Sequence, residues 1–170
     1  DAGRLRTGKK ACGVGGLSKG KKKGVVTMSM HGAYRMQLSA RYRLRLPAEW
    51  RSAFVDRGIL CWAENHLKLY PAADFYKWVL IVSAMYHNTP MPPEIRHRIT
   101  AAVPVIISKT GTLTVPASLR LLPPGPVEVM GLATFVEIWP VEAWKKQMQK
   151  NMDAAGDITQ AELLKILAPL

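Results

Sequence analysis

Two stretches of this 170-residue chain recur at one separation, 69 residues further along. RLRLPAEWR at 43–51 aligns with TLTVPASLR at 112–120, and LKLYPAADFYKW at 67–78 aligns with VEIWPVEAWKKQ at 136–147. Because both pairs share one offset, we interpret the body of the chain as two copies of one structural unit. Neither copy has enough strands to bury an apolar face alone, so we expect the two to interlock into one small barrel.

Each copy predicts the same succession of strands and helices. Alternation of basic and apolar residues over 41–46 is typical of a half-buried strand, which Pro47 ends before a short helix over 48–54. The first copy continues with strands at 59–62 and 67–70 and a helix over 71–85. The second copy predicts a strand pair over 105–115 that turns at 109–111, a short helix at 116–121, strands at 127–130 and 135–139, and a helix over 141–152. A further helix over 92–102 lies between the copies, so the predicted class is α+β.

The positive charge of the chain is concentrated near its start. Residues 1–48 hold twelve Lys and Arg and a single acid, Asp1, whereas residues 49–170 carry twelve basic and eleven acidic side chains. Residues 1–26 also contain seven Gly and few apolar side chains, so this segment cannot offset the entropy cost of folding. We predict that residues 1–30 form an extended basic arm whose partner is nucleic acid.

Three arginines at alternate positions, Arg41, Arg43 and Arg45, lie in the first predicted strand. In a regular strand alternate side chains project from one face, so the three would form a row of guanidinium groups suited to phosphates. The 69-residue offset puts threonines at the corresponding positions 110, 112 and 114, so one half is basic and the other neutral. The alternative interpretation of the row is a solvated strand face.

The predicted nucleic-acid-binding residues are the basic side chains of the first 48 positions: Arg4, Arg6, Lys9, Lys10, Lys19, Lys21, Lys22, Lys23, Arg35, Arg41, Arg43 and Arg45. Lysine-rich stretches such as 19–23 are also typical of solubility tails and localisation signals, which stay open as alternatives for the arm.

The doubled pattern resembles the MraZ family of bacterial transcriptional regulators. In both copies Leu-x-Leu-Pro or Leu-x-Val-Pro precedes a short helix, and a strand ending in an aromatic residue and proline precedes a helix; VEIWPVEAWKK at 136–146 carries the resemblance most clearly. The resemblance covers residues 32–150. It implies a swapped-hairpin β-barrel of the AbrB type, built from two pseudo-symmetric repeats with peripheral helices, and a ring-like oligomer that presents basic residues to DNA.

Both copies depart from the signature of that family, Asp-x-x-Gly-Arg just ahead of the strand and proline. Serine stands at the Asp position in each copy, and each copy keeps only one of the remaining two residues. The positions are Ser39, Tyr42 and Arg43 in the first copy and Ser108, Gly111 and Thr112 in the second. The incomplete motif argues against sequence-specific binding to an operator.

The sequence predicts three parts: the arm at 1–30, a double-repeat domain at 31–152 with repeats at about 34–100 and 103–150, and an amphipathic C-terminal helix at 153–170. Thr159 and Glu162 fit a capping box ahead of the apolar residues Leu163, Leu164, Ile166 and Leu167. The apolar face of this helix is expected to dock on the body or on a partner.

No pattern of catalytic or metal-binding residues stands out. His31, His66, His87 and His97 have no ligand spacing, and Cys12 and Cys61 form neither a metal motif nor a disulfide framework. The longest apolar run, 78–85, is far shorter than the roughly 20 residues of a membrane span. We expect no enzymatic activity, no cofactor, no metal, no small-molecule substrate and no membrane partner.

These features favour a structural, rRNA-binding component of a ribonucleoprotein, such as a mitochondrial ribosome, with neighbouring proteins of that particle as further partners. The start at Asp1 would follow from removal of an organellar presequence, although an artificial chain boundary explains it as well. The alternative is a DNA-binding regulator that forms a homo-oligomeric ring in the bacterial cytoplasm or nucleoid. A protein-interaction module that retains only the barrel is a third possibility.

Overall fold

The computed structural model describes residues 30–55 and 57–156. The predicted arm therefore lies outside the described residues except for Met30, and so do residues 157–170 of the predicted C-terminal helix. Eight of the predicted nucleic-acid-binding residues fall in the undescribed part of the arm: Arg4, Arg6, Lys9, Lys10, Lys19, Lys21, Lys22 and Lys23.

The described chain is a mixed α+β fold, which confirms the predicted class. Its strands are β1 (Met30–Leu38), β2 (Arg43–Arg45), β3 (Gly58–Ala63), β4 (His66–Pro71), β5 (Val103–Val105), β6 (Thr112–Thr114), β7 (Gly125–Ala133) and β8 (Val136–Pro140). Its helices are α1 (Ala72–Met85), α2 (Pro93–Thr100) and α3 (Val141–Gly156), with short 3-10 segments at Ala48–Phe54 and Ala117–Leu119.

The strands form two antiparallel sheets. Six strands follow one another in the order β1-β7-β8-β4-β3-β5, and β2 pairs with β6 in a separate two-stranded sheet. The larger sheet has β1 and β5 at its two edges, so the described strands do not close into the predicted barrel. At one of these edges β5 is only three residues long, and Pro104 in its middle has no N–H for a further partner.

The strand pairing repeats itself under the 69-residue offset. In the centre of the larger sheet Leu67 pairs with Ile138 and Leu69 with Val136, and the offset converts each of these pairs into the other. Lys68 and Glu137, which pair between them, are themselves one offset apart. The two halves of the sheet are therefore related by an approximate two-fold axis at Lys68 and Glu137.

The first strand of each copy pairs with a strand of the other copy. β1, from the first copy, pairs with β7 of the second, and β5, from the second copy, pairs with β3 of the first. The registers correspond, because Met36 faces Val127 as Val105 faces Gly58. This exchange joins the two copies through backbone hydrogen bonds as well as through their shared core.

The main core lies between the six-stranded sheet and the β2–β6 pair. Leu44 and Leu113 pair at the centre of the small sheet and are buried. Trp50 and Phe54 of the first 3-10 segment and Leu119 of the second pack into the same cluster. A second cluster lies on the opposite face of the large sheet, where α1 covers β3 and β4. The β2–β6 pair and the helices thus lie on opposite faces of the large sheet.

Several elements differ from their predicted bounds. β2 covers only Arg43–Arg45 of the predicted strand at 41–46, because the chain is still in a turn at Arg41 and Tyr42. β7 is longer than predicted, since it pairs along its whole length with the exchanged strand β1. α3 continues to Gly156, so residues 153–156 extend this helix and do not begin a separate one. Among the described helices, none is long and apolar enough to cross a membrane.

Candidate nucleic-acid interface

Two tight turns of equal geometry lead into β2 and β6. In the first turn the backbone N–H of Tyr42 donates to the carbonyl of Ser39 at 2.8 Å, and the Ser39 hydroxyl oxygen accepts the N–H of Arg43 at 3.0 Å. In the second turn Gly111 donates to the carbonyl of Ser108 at 2.7 Å, and the Ser108 hydroxyl oxygen accepts the N–H of Thr112 at 3.0 Å. In each turn the serine thus supplies the side-chain acceptor that holds the turn.

Both turns need a residue with positive φ at their third position after the serine. Tyr42 has φ +57° and Gly111 has φ +82°. A Cβ atom at Gly111 would collide with the side chain of Arg51. On the other side of the two-fold axis, the guanidinium of Arg120 lies over the Tyr42 ring, 4.8 Å from its centroid. The turns therefore share a backbone but differ in how an arginine packs on them.

The two turns are bonded to each other's strand end. The N–H of Leu46 donates to the carbonyl of Gly111 at 2.8 Å, and the N–H of Val115 donates to the carbonyl of Tyr42 at 2.9 Å. These reciprocal bonds fix the position of each turn relative to the other half. We call the exposed surface formed by β2, β6 and the two turns at 39–42 and 108–111 the platform.

The strand ends next to the platform are held by two arginines that align in the repeat, Arg51 and Arg120. The Arg51 guanidinium donates to the carbonyl of Leu46 at 3.1 Å, and Arg120 donates to the carbonyl of Val115 at 3.2 Å. The alignment of the two copies pairs these arginines, but no role was predicted for them. The sequence signal was an arginine four residues after the shared proline in both copies. The role of the two arginines is structural.

Arg43 and Arg45 project from the exposed face of the platform, on either side of buried Leu44. Across the small sheet Arg43 pairs with Thr114 and Arg45 with Thr112. Phosphate groups can approach both guanidiniums from solvent, so this pair is the described part of the candidate interface.

Arg41 is not the third member of a strand row, which corrects the prediction. It is exposed, but it lies in the turn between Ser39 and Tyr42. The alternation fails because the positive φ of Tyr42 reverses the chain direction before β2 begins. Arg41 therefore precedes the Arg43–Arg45 pair in the chain but lies in a turn and not in the strand.

Arg35 lies on the other face of the large sheet. It pairs in register with Glu128, and its guanidinium binds that carboxylate with nitrogen–oxygen distances of 2.6 and 2.8 Å. Neighbouring Val127 and Val129 point into the main core on the β2–β6 side, so Glu128 and its partner point the opposite way. The structure does not bring Arg35 together with Arg43 and Arg45.

The second half presents hydroxyl groups where the first presents guanidiniums. Ser108 and Thr110 contact each other through their side-chain oxygens at 2.9 Å, and Thr110 and Thr112 do so at 3.4 Å. Lys109, in the same turn, is exposed and adds one cation on this side. Lys109 was predicted only as a turn residue. The sequence signal for a binding role was its positive charge at the turn before β6.

A polar cluster occupies the two-fold axis of the large sheet. The Glu137 carboxylate lies 3.0 Å from Lys68 Nζ and 3.4 Å from His66 Nε2, and it accepts a hydrogen bond from Trp139 Nε1 at 2.8 Å. Burial opposes ionisation of Glu137, but the contacts with His66, Trp139 and Lys68 outweigh it and lower its pKa to about 2. The His66 ring stacks on Trp139 at 3.9 Å. The cluster joins the two copies electrostatically.

The described residues contain no group of three or more His, Cys, Asp and Glu that could hold a metal ion. Cys61 is fully buried, and burial raises the pKa of its thiol to about 11. A thiol with that pKa is almost entirely protonated near neutral pH, and its burial keeps reagents out.

Comparison of the chain with protein-family models finds no match, and comparison with curated proteins finds none. Neither comparison identifies the chain as a member of the MraZ family.

Proposed function

We propose that this chain is a non-enzymatic nucleic-acid-binding protein, a structural rRNA-binding component of a ribonucleoprotein such as the mitochondrial ribosome. The observation that carries the proposal is the exposed Arg43–Arg45 pair on the platform, in the same chain as a strongly basic arm. The platform contacts one stretch of phosphate backbone, and the arm contacts others. The mechanism is charge neutralisation and scaffolding, without chemistry.

The unequal charge of the two halves favours RNA over DNA. Proteins that read a palindromic operator present equivalent residues to equivalent half-sites. Here the two-fold axis relates Arg43 and Arg45 to Thr112 and Thr114, so the two halves offer different contacts. A protein that occupies one place on one large RNA needs no equivalent pair.

The exchange of β1 and β5 between the copies supports a swapped-hairpin ancestry of the AbrB type, and with it descent from an MraZ-like protein. The reciprocal bonds between the turns support the same descent, since both copies keep the turn although the signature residues have changed. On this proposal the strand exchange persists without closure of a barrel, and the DNA-reading role of the ancestor is lost.

The second candidate is an MraZ-like regulator that binds a specific DNA sequence. It is favoured by the equal geometry of the two turns, each with a serine acceptor and a positive φ. It requires a homo-oligomeric ring in solution and a bacterial cytoplasmic or nucleoid location. The RNA-binding proposal requires one copy per particle and, in the organellar case, a mitochondrial matrix location. Light scattering after size exclusion distinguishes a ring from a monomer.

Crosslinking in the cells that make the protein tests the proposal directly. The protein is irradiated in place and purified under denaturing conditions, and the attached nucleic acid is sequenced. We expect one footprint on a ribosomal RNA. Enrichment of promoter DNA with a recurring motif would establish the regulator instead, and absence of any attached nucleic acid would favour the protein-interaction module.

A further inference from the structure

A cleft lies beside α1 on the helical face of the large sheet. Its volume is about 350 Å³, within the range of small-molecule sites. Side chains of β4, α1, α2 and the turn between β7 and β8 line it, among them three aromatic rings and three cations: Tyr70, Trp78, Phe135, Lys68, Lys77 and Arg98. Lys68 and Tyr70 alternate along β4 with buried core leucines, so the cleft lies on the face of the sheet opposite the platform.

The three rings form a continuous aromatic surface. The rings of Tyr70 and Phe135 stack with their centroids 5.0 Å apart, and those of Tyr70 and Trp78 are within 19° of parallel at 6.4 Å. Tyr70 is buried, whereas Trp78 and Phe135 are half-buried at the surface of the cleft. The guanidinium of Arg98 lies over the Trp78 ring, 5.7 Å from its centroid. Nucleobases stack on surfaces of this kind, both on aromatic rings and on the planar guanidinium.

One of the three cations in the cleft has no acidic partner among the described residues. Lys68 is paired with Glu137 at 3.0 Å, and Lys77 with Asp74 at 3.8 Å. No described carboxylate forms an ion pair with Arg98, which is half-buried. A guanidinium in this position attracts an anion and repels a cationic ligand.

The repeat provides a second cavity with the same position in the fold and different chemistry. This cavity, of about 400 Å³, lies beside α3. Three of its lining residues stand one offset away from residues of the first cleft: the pairs are Trp78 and Gln147, Phe135 and His66, and Lys68 and Glu137. Packing of a helix on the sheet therefore explains a cavity in each half, but it does not require a tryptophan at position 78.

We propose that the cleft beside α1 binds one nucleotide, as a free molecule or as an unstacked residue of an RNA chain. The base stacks on Trp78, and the phosphate binds Arg98. The proposal adds a ligand and no reaction. It is independent of the proposed function, because the cleft and the platform lie on opposite faces of the sheet and a free nucleotide is sufficient to test it.

Nuclear magnetic resonance of the five tryptophan indole N–H groups locates the ligand in the full chain. The Trp78 signal is assigned by its absence from Trp78→Gln. Adenosine monophosphate is expected to shift this signal and to leave that of Trp50, in the main core, unchanged. Inorganic phosphate and adenosine should each bind there about tenfold more weakly or less tightly still, because each makes only one of the two contacts.

Two substitutions test the two contacts separately. Trp78→Gln copies the second half and is expected to weaken binding of adenosine monophosphate about fivefold or more, as measured by equilibrium dialysis. Arg98→Gln should weaken it about tenfold, since a charge-assisted bond to phosphate is lost. Arg96→Gln is the matched control, because Arg96 is exposed on the same helix and does not line the cleft. If Trp78→Gln fails to unfold cooperatively, the comparison of Arg98→Gln with Arg96→Gln still decides.

A single-stranded pentanucleotide of adenylate distinguishes the two sources of the nucleotide. Displacement of adenosine monophosphate from Trp78 by this RNA would assign the cleft to an RNA chain, and a Trp78 signal that only the free nucleotide shifts would assign it to the free molecule; both results agree with the proposal. An unchanged Trp78 signal at millimolar adenosine monophosphate would overturn it, as would equal losses in Arg98→Gln and Arg96→Gln. Phenyl phosphate that binds as tightly as the nucleotide would also overturn it and would indicate a phosphorylated tyrosine side chain. None of these results bears on the platform, which the crosslinking experiment tests.

Discussion

Gly111 and Tyr42 stand at corresponding positions with positive φ, yet only one of them is glycine. At Gly111 the missing side chain leaves room for Arg51, which reaches past it to the carbonyl of Leu46. At Tyr42 the strained backbone is retained, and the ring supports Arg120. One turn is thus stabilised by the absence of a side chain and the other by the presence of an aromatic ring.

Replacing Gly111 with alanine should destabilise the fold by about 1–3 kcal/mol, from backbone strain together with collision of the new Cβ with Arg51. Gly125→Ala is the matched control, since Gly125 also has positive φ but a Cβ there would meet nothing within 4 Å. Urea unfolding measures both variants. We expect Gly111→Ala to cost more than Gly125→Ala, and equal losses would mean that Arg51 is not held as described.

Glu137 should make the free energy of unfolding depend on pH in the acidic range. Its folded pKa is about 2, below the ordinary value of 4.5, so its ionised form stabilises the fold above pH 4.5. That contribution is lost progressively as the pH falls from about 4.5 to about 2. Chemical unfolding across this range measures the loss. In Glu137→Gln the dependence should be smaller, and an unchanged pH profile would exclude the Lys68–Glu137 contact as its source.

The residue-level features could be predicted only in part. The aligned serines, prolines and arginines were visible as repeats, because identical positions recur at one offset. The strain at Tyr42 was not visible, since a non-glycine residue with positive φ has no sequence marker. Arg41 was consequently assigned to a strand that starts two residues later. The partner of Arg35 was also hidden, because Glu128 is 93 residues away.

β2 and β6 show how a local pattern can be right about an element and wrong about its extent. The alternation over 41–46 predicted a strand, and β2 is there, but only at Arg43–Arg45. The predicted helices were close to their observed bounds, since proline starts and helical periodicity are local signals. The exchange of β1 and β5 could not be predicted from the residues, because pairing between distant strands leaves no period in either one.

Copying the second half onto the first should weaken nucleic-acid binding and leave the fold intact. The double variant Arg43→Thr, Arg45→Thr makes β2 resemble β6. Binding should be about tenfold weaker, because each exposed arginine–phosphate contact contributes under about 1 kcal/mol. A filter-binding or fluorescence titration measures the change.

The charge-matched control for that variant is Lys77→Thr, Lys145→Thr, on α1 and α3, which removes two exposed cations from the helices on the opposite face of the large sheet. Its binding should change less, because the missing charges do not face the platform. Equal weakening in the two variants would show that only net charge matters. Loss of cooperative unfolding in the first variant would show that Arg43 and Arg45 serve the fold.

The molecule as a whole combines a near two-fold backbone with a one-sided charge distribution. The pairing and the turns repeat across the axis, whereas the platform arginines lie in the first copy and the basic arm precedes that copy. Backbone symmetry is set by packing that each copy needs equally. Surface charge is free to diverge, so its asymmetry reports on the partner and not on the fold.

Salt should weaken binding steeply if the arm and the platform contact phosphates together. With about eight contacts, the logarithm of affinity should fall against the logarithm of salt concentration with a slope near −6 to −7, through release of counterions. Titrations with one RNA at several salt concentrations measure the slope. The Arg43→Thr, Arg45→Thr variant should reduce its magnitude by about 1.4 to 1.8, since two phosphate contacts are lost. A flat response in the parent protein would exclude every mechanism in which the basic arm contacts phosphate, whereas a steep slope that the double variant leaves unchanged would assign the binding to the arm alone.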